Sequence, residues 1–160
     1  MAETLAKDIG LYKHRLSNIL LDSAELCELF LGKNYNSDDV EELMHKQIFP
    51  YLYIDETQDI VLPYICFEVD IPVIPTGTIK DMQIIIWCYC HRGCMKYSKK
   101  GYLGTRADIM ADMIERQLRN SDAFGIGELN LQSITYLNSL NSKYYGRQLI
   151  FTTSDFKLKG

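Results

Sequence analysis

Leu5, Ile9, Tyr12, Leu16, Ile19 and Leu20 recur at three- and four-residue spacing, with His14, Arg15 and lysines between them. This pattern predicts helix over residues 3–31, continuing through Leu26, Leu29 and Phe30 to a stop at Gly32. One long helix and two helices broken near Asp22 and Ser23 both satisfy it. The stretch "NSDDVEELMHKQIFP" predicts a second helix, capped by Ser37, acidic in its first turn where the helix dipole favours negative charge, and stopped at Pro50. His45 on that helix reads as a surface or boundary residue, and His14 on the first as an exposed one.

From residue 60 the period changes from helical to alternating. "VLPYICFEVD" sets Pro63, Ile65, Phe67 and Val69 on one face and Leu62, Tyr64, Cys66 and Glu68 on a wetter one, the mark of a strand. Pro63 suits an edge or a strand start. "IPVIPTGT" reads as a connection, and "IKDMQIIIWCYCHR" as the most apolar and therefore central strand. "GYLGTRADIMADMIERQLRN" predicts a helix with Thr105 as N-cap, Asp108 three residues later, a buried stripe of Ile109, Met110, Met113, Ile114 and Leu118, and an exposed Asp112–Arg116 pair. "FGIGELNLQSITYL" and "YYGRQLIFTTSDF" follow as strands joined by the polar loop "NSLNSK".

Strands paired around a helix predict an α+β fold: a mostly antiparallel sheet of about four strands covered by helices on one side. The 160 residues form one domain, with a helical segment over 1–50 and the sheet with one central helix over 60–156. A chain of this size buries roughly two-thirds of its unfolded surface without staples.

Composition narrows the classes. The N-terminus "MAETLAKDIG" is polar and the longest apolar runs are short, which predicts neither export nor a membrane span. A reducing cytoplasm is then the expected compartment, where the five cysteines need not pair. The net charge of -4 conceals an asymmetry: residues 1–60 carry five Lys/Arg against twelve Asp/Glu, whereas residues 91–119 carry seven against three. A dipolar surface follows if the two regions lie on different faces. That distribution argues against a general nucleic-acid binder and suits a protein that stacks on partners of opposite local charge.

Candidate chemistry centres on "IIIWCYCHRGC", with Cys88, Cys90, His91 and Cys94. Structural zinc takes cysteines two or more residues apart on a tight turn, but Cys88 and Cys90 are alternate residues of one strand, with Cα atoms about 7 Å apart. Core packing explains them with less, because cysteine behaves as a small apolar side chain. A Cys90–His91 catalytic pair fails because neighbours in a strand point to opposite faces. Cys94 can reach His91 across a turn, but no third group or oxyanion loop accompanies them. "FGIGELN" lacks the later glycine of a dinucleotide fold and the Lys of a P-loop. No catalytic residue, metal ligand or cofactor site is expected, and the chain reads as no enzyme.

The loop "HRGCMKYSKKGYLGTR" carries Arg92, Lys96, Lys99, Lys100 and Arg106 among three glycines. It reads either as a solvated, flexible connection or as a basic arm reaching a neighbouring subunit, an acidic partner or a DNA channel.

The order of elements and the stretches "LPYICFEVDIP", "IKDMQIIIWCYCHR", "GYLGTRADIMADMIERQL", "FGIGELNLQSI" and "YYGRQLIFTTSDF" together resemble the tail terminator, or tail completion, proteins of long-tailed bacteriophages. The resemblance covers most of residues 40–156 and implies a virion protein, present in the host cytoplasm during assembly. Such a protein forms a homo-oligomeric, hexameric ring, ends polymerisation of the tail tube protein and joins the tail to the head-tail connector or stopper protein. DNA would contact it only in passage through the lumen, and no membrane is involved. The basic loop would then face a subunit, the tube or the lumen. Two alternatives stand beside this: a head-side connector or neck protein of the same particle, and a small cytoplasmic thiol- or metal-dependent enzyme built on Cys88, Cys90, His91 and Cys94.

Overall fold

Thr4 opens the first helix in the computed structural model, which describes residues 4–137 and 142–156. Its hydroxyl accepts the Lys7 backbone N–H and caps α1 (Leu5–Leu21). Ser23 caps α2 (Ala24–Leu31) by accepting the Leu26 N–H at 3.3 Å, so the helical stretch is two helices broken at Asp22 and Ser23. Gly32 closes α2 at a φ of 92°, which glycine adopts without strain.

The helix expected over 36–50 is mostly absent. Only α3 (Ser37–Glu41) forms, and its N-cap is Asn36 rather than Ser37. Beyond it the Leu43 carbonyl accepts the N–H groups of Lys46, Gln47 and Ile48, and the exposed His45 takes a φ of 62°. The chain thereby turns out of the helix and delivers β1 (Ile48–Phe49) parallel to β2 (Pro63–Val73). Burying Leu43, Ile48 and Phe49 in the sheet layer outweighs the local helical preference.

The sheet has five strands among the described residues, in the order β1-β2-β3-β5-β4, with β3 (Ile79–His91), β4 (Ile126–Leu137) and β5 (Tyr144–Phe156). All neighbours except β1 and β2 are antiparallel. The α+β architecture holds, with one strand more than the pattern indicated. Strand β2 also runs through Ile71 and Pro72, where a connection was expected. Its register with β3 shifts between Asp70 and Val73, and no described strand pairs with Pro72 on the β1 side. Of the loop expected over 138–143, residues 138–141 lie outside the described residues.

Alternation sets the layers. Met82, Ile84, Ile86 and Cys88 of β3 are fully buried with Ile65, Phe67, Leu149 and Phe151 beneath Tyr12, Leu16 and Leu20 of α1. Ile109, Met110, Met113 and Ile114 of α4 (Arg106–Leu118) complete that core. Each such aliphatic side chain contributes about 1.5–3 kcal/mol of burial. Thr105 and Asp108 cap α4 reciprocally, as their spacing predicts.

The opposite face is not the wet one expected. Tyr64, Cys66, Tyr89 and Tyr144 are buried there with Phe49, under the segment that follows β1. Phe49 stacks on Tyr53 at 4.3 Å, and Tyr64 on Tyr89 at 5.4 Å. The Tyr144 hydroxyl donates to the Ile60 carbonyl at 3.0 Å, and the Tyr89 hydroxyl donates to the Tyr53 carbonyl. Desolvation raises the pKa of both tyrosines, with the Cys66 thiol acting in the same direction at Tyr89 and the Tyr64 hydroxyl at Tyr144, keeping them protonated as donors. Gly146 sits opposite Tyr89, where a Cβ would lie 2.0 Å from the Cys88 carbonyl oxygen, so only glycine lets β5 approach β3 this closely.

One ion pair lies inside the helix-facing core. Lys80 is fully buried and donates to the Asp8 carboxylate and, at 2.7 Å, to the Phe156 carbonyl; Asp155 lies 3.9 Å away. The Tyr12 hydroxyl donates to Asp155 at 2.9 Å. Asp8 shares the four-residue register of Tyr12, Leu16 and Leu20, as Lys80 shares the alternation of Met82 and Ile84. Lys80→Met alone leaves Asp8 buried without its cation and is expected to cost about 3–5 kcal/mol in urea unfolding. Adding Asp8→Leu to that variant is expected to recover most of the loss.

Candidate functional site

Strand β3 ends at His91 and feeds a 3-10 turn, Arg92–Cys94, that begins the basic loop. The His91 Nδ1 accepts the Gly93 N–H at 2.9 Å, and the ring packs edge-on against Tyr144. The Cys94 thiol donates to the His91 carbonyl at 3.3 Å, so thiol and imidazole do not form a pair. Cys88 and Cys90 are fully buried, Cys88 in the helix-facing core. Among the described residues, no group of three or more His, Cys, Asp and Glu is arranged to hold a metal ion. No described helix is long and apolar enough to cross a membrane.

The five basic residues of the loop separate into two sets. Arg106 is an internal anchor: its Nε donates to the Cys94 carbonyl at 2.7 Å and its Nη1 to the Leu29 carbonyl at 2.9 Å, with the guanidinium 4.4 Å from the Tyr97 ring centre. Lys99 pairs with Glu28 of α2 at 3.1 Å, which raises its pKa. Tyr102 donates to Glu25 and lies beneath Arg116, whose guanidinium is 4.1 Å from the ring centre. Part of the acidic N-terminal region and part of the basic region thus neutralise each other within the chain, rather than standing on separate faces. Arg92, Lys96 and Lys100 are exposed, and no described carboxylate pairs with their side chains.

Two features of this surface were not singled out in the sequence. Leu103 is 92% exposed, held out between Gly101 and Gly104, both at positive φ. An exposed leucine between two such glycines, beside Lys100, was the available signal. The second is a cavity of about 300 Å³ beside the start of α4, lined by Arg92, Tyr136, Tyr145 and the Arg147–Asp108 pair, whose nitrogen and oxygen are 3.0 Å apart. Burial pushes the Asp108 carboxyl up, but hydrogen bonds from Thr105 and Arg147 outweigh it and hold the group below its ordinary value. Arg116 of α4 and Arg119 at its C-cap are spent on surface pairs with Asp112 and Glu115.

Strand β4 forms the far edge of the sheet. It bonds to β5 on one side, and no described strand takes the other. Ile126, Ile134 and Tyr136 are exposed along it. At the opposite edge β1 covers only Ile65 and Cys66, leaving the rest of β2 unpaired on that side among the described residues.

Residues 23–153 match the YomW family model. The chain belongs to the YomW family. This is a phage-encoded family, and the match spans α2 through most of β5, taking in the basic loop and both sheet edges. No curated protein matches the chain.

The thiols give this region a measurable signature. A hydrogen bond from Cys90 holds the Cys94 pKa down at about 7 against burial, with the Arg106 guanidinium acting in the same direction. Desolvation pushes Cys88 up to about 12. Cys94 is therefore mostly thiolate above its value and mostly thiol below it. Its rate of iodoacetamide alkylation in the folded protein is expected to rise through an inflection near pH 7, while Cys88 stays unmodified.

Proposed function

We propose that this phage protein is a structural subunit that assembles into a ring at the head-proximal end of the tail, ending tube growth and joining the tail to the head connector. The unpaired β4 edge carries the reading. Leu129 of this edge strand bonds to Asn120 and Ser121, but no described strand pairs with the outer side of β4, Ile126, Ile134 and Tyr136 are exposed along it, and no proline or lysine blocks it. The open stretch of β2 lies at the other end of the same sheet. Two different edges on one subunit are what head-to-tail ring closure requires.

The basic loop supplies the second surface of this reading. No described carboxylate pairs with the charges of Arg92, Lys96 and Lys100, and Leu103 adds an exposed apolar side chain in the same loop. Such a loop suits an acidic partner surface or the wall of a channel through which DNA passes. Membership of a phage-encoded family supports the particle setting, and the resemblance to tail terminators supports the tail end, with the head-side connector separated from it by the neighbours the protein has in the particle.

Native mass spectrometry of the purified chain, alone and with isolated tail tubes, tests the reading. A closed oligomer of one stoichiometry, hexameric by the resemblance, is expected. Ile134→Lys, placing a charge on the exposed edge, is expected to yield monomer with unchanged thermal unfolding. Monomer under every condition for the unaltered chain would count against the ring.

A further inference from the structure

We propose that Leu103 and the lysines near it dock into a groove between α1, α2 and α3 of a second copy of this chain, an inference that rests on the ring proposed above and gives it a further contact. Leu103 is 92% exposed, more than any other large apolar side chain among the described residues; the next, Phe156, is 59% exposed. The loop that carries it is anchored. Tyr102 is buried and donates to Glu25, Lys99 pairs with Glu28, and Arg106 donates to the Leu29 carbonyl, so Leu103 stands out from a backbone fixed on α2. A side chain ordered before docking loses little conformational entropy when it is covered. Residues 92–104 contain no carboxylate, and Lys96 and Lys100 are exposed with no ion-pair partner among the described residues.

The groove has a volume of about 500 Å³, and Leu21, Ala24, Tyr35 and Val40 give it an apolar lining. Both charged residues of that lining, Asp22 and Glu41, are exposed carboxylates. Glu41 belongs to an acidic stretch: residues 34–45 hold Asp38, Asp39, Glu41 and Glu42 and no lysine or arginine, with Lys33 and Lys46 at its ends. No ion pair among the described residues uses Asp22, Asp38, Glu41 or Glu42. An apolar groove with unpaired carboxylates complements a leucine accompanied by unpaired lysines, in shape and in charge. Helix α2 separates the two surfaces. Ala24 and Cys27, three residues apart, line the groove, whereas Glu25, Glu28 and Leu29 hold the loop. Because knob and groove stand on different faces of α2, the loop of one copy fills the groove of the next and not its own. Such a contact joins two different surfaces of the chain, the head-to-tail type that closes into rings.

Cross-linking of the unaltered full-length chain tests this. A water-soluble carbodiimide joins amines to carboxylates in direct contact, and the dimer and monomer bands of a denaturing gel are digested separately and sequenced by mass spectrometry. Lys99 joined to Glu28 is expected in both bands, as the internal control. Lys96 or Lys100 joined to Asp22, Asp38, Glu41 or Glu42 is expected in the dimer band alone. Leu103→Ala is expected to raise the dissociation constant of the oligomer about tenfold with thermal unfolding unchanged, because the side chain is exposed in the single chain. Lys100→Glu is expected to weaken association, and Glu41→Lys added to the same chain to restore it. An oligomer whose dimer band lacks those links, or one that Leu103→Ala leaves unmoved, would overturn this contact while leaving the ring standing. Monomer under every condition would overturn both, and loss of tail-tube binding in Leu103→Ala would then assign the loop to the tube protein.

Discussion

Strand β3 is covered on both faces, and the positions of the other elements follow from how each face is covered. Met82, Ile84, Ile86 and Cys88 require an apolar layer, which α1, α2 and α4 supply. Tyr89 and half-buried Trp87 require another, which no helix supplies. That second demand explains the early end of α3 and the short β1. The chain must cross to the edge of β2 and lay Phe49 and Tyr53 over the tyrosines before β2 begins. The buried Lys80 then ties the N-terminal helix to the ends of β3 and β5, fixing the helical layer in register with the sheet.

Because helices cover one face and the aromatic segment covers one end of the other, the surfaces left for partners are edges and a loop. Strand β4 pairs with a strand on one side only among the described residues. The basic loop is held against α2 by Lys99 and Arg106, which use their charge inside the subunit, whereas Arg92, Lys96 and Lys100 face solvent. A loop pinned at two points with its remaining charges outward loses little conformational entropy on docking, which favours association.

Strands β3 and β5 and the caps of α4 were legible because alternation and capping are local signals. Residues 79–88 alternate in burial before the last four of β3 are covered on both faces, and Thr105 with Asp108 forms a reciprocal cap that three-residue spacing announces. What was missed depends on distant partners. The "ELMHKQIFP" stretch has helical composition, yet pairing of Ile48 and Phe49 with β2 decides its path. Asp8 and Lys80 were visible as charges in apolar registers seventy-two residues apart, but their pairing required the fold. The loop charges looked equivalent because nothing local distinguishes Lys99, opposite Glu28, from Lys100, opposite solvent. The family match supports a phage setting, and the proposed tail-end role rests on edges, loop and resemblance together.

The central claim is that this chain is an assembled part of a phage particle. Cryo-electron microscopy of purified particles from a phage encoding it tests that claim most directly. The account expects a ring of α+β subunits at the junction of tail and head, with β4 of each subunit against its neighbour and the basic loop on a partner or the lumen. Intact particles in which no density at that junction fits this fold, and from which the chain is absent, would contradict it.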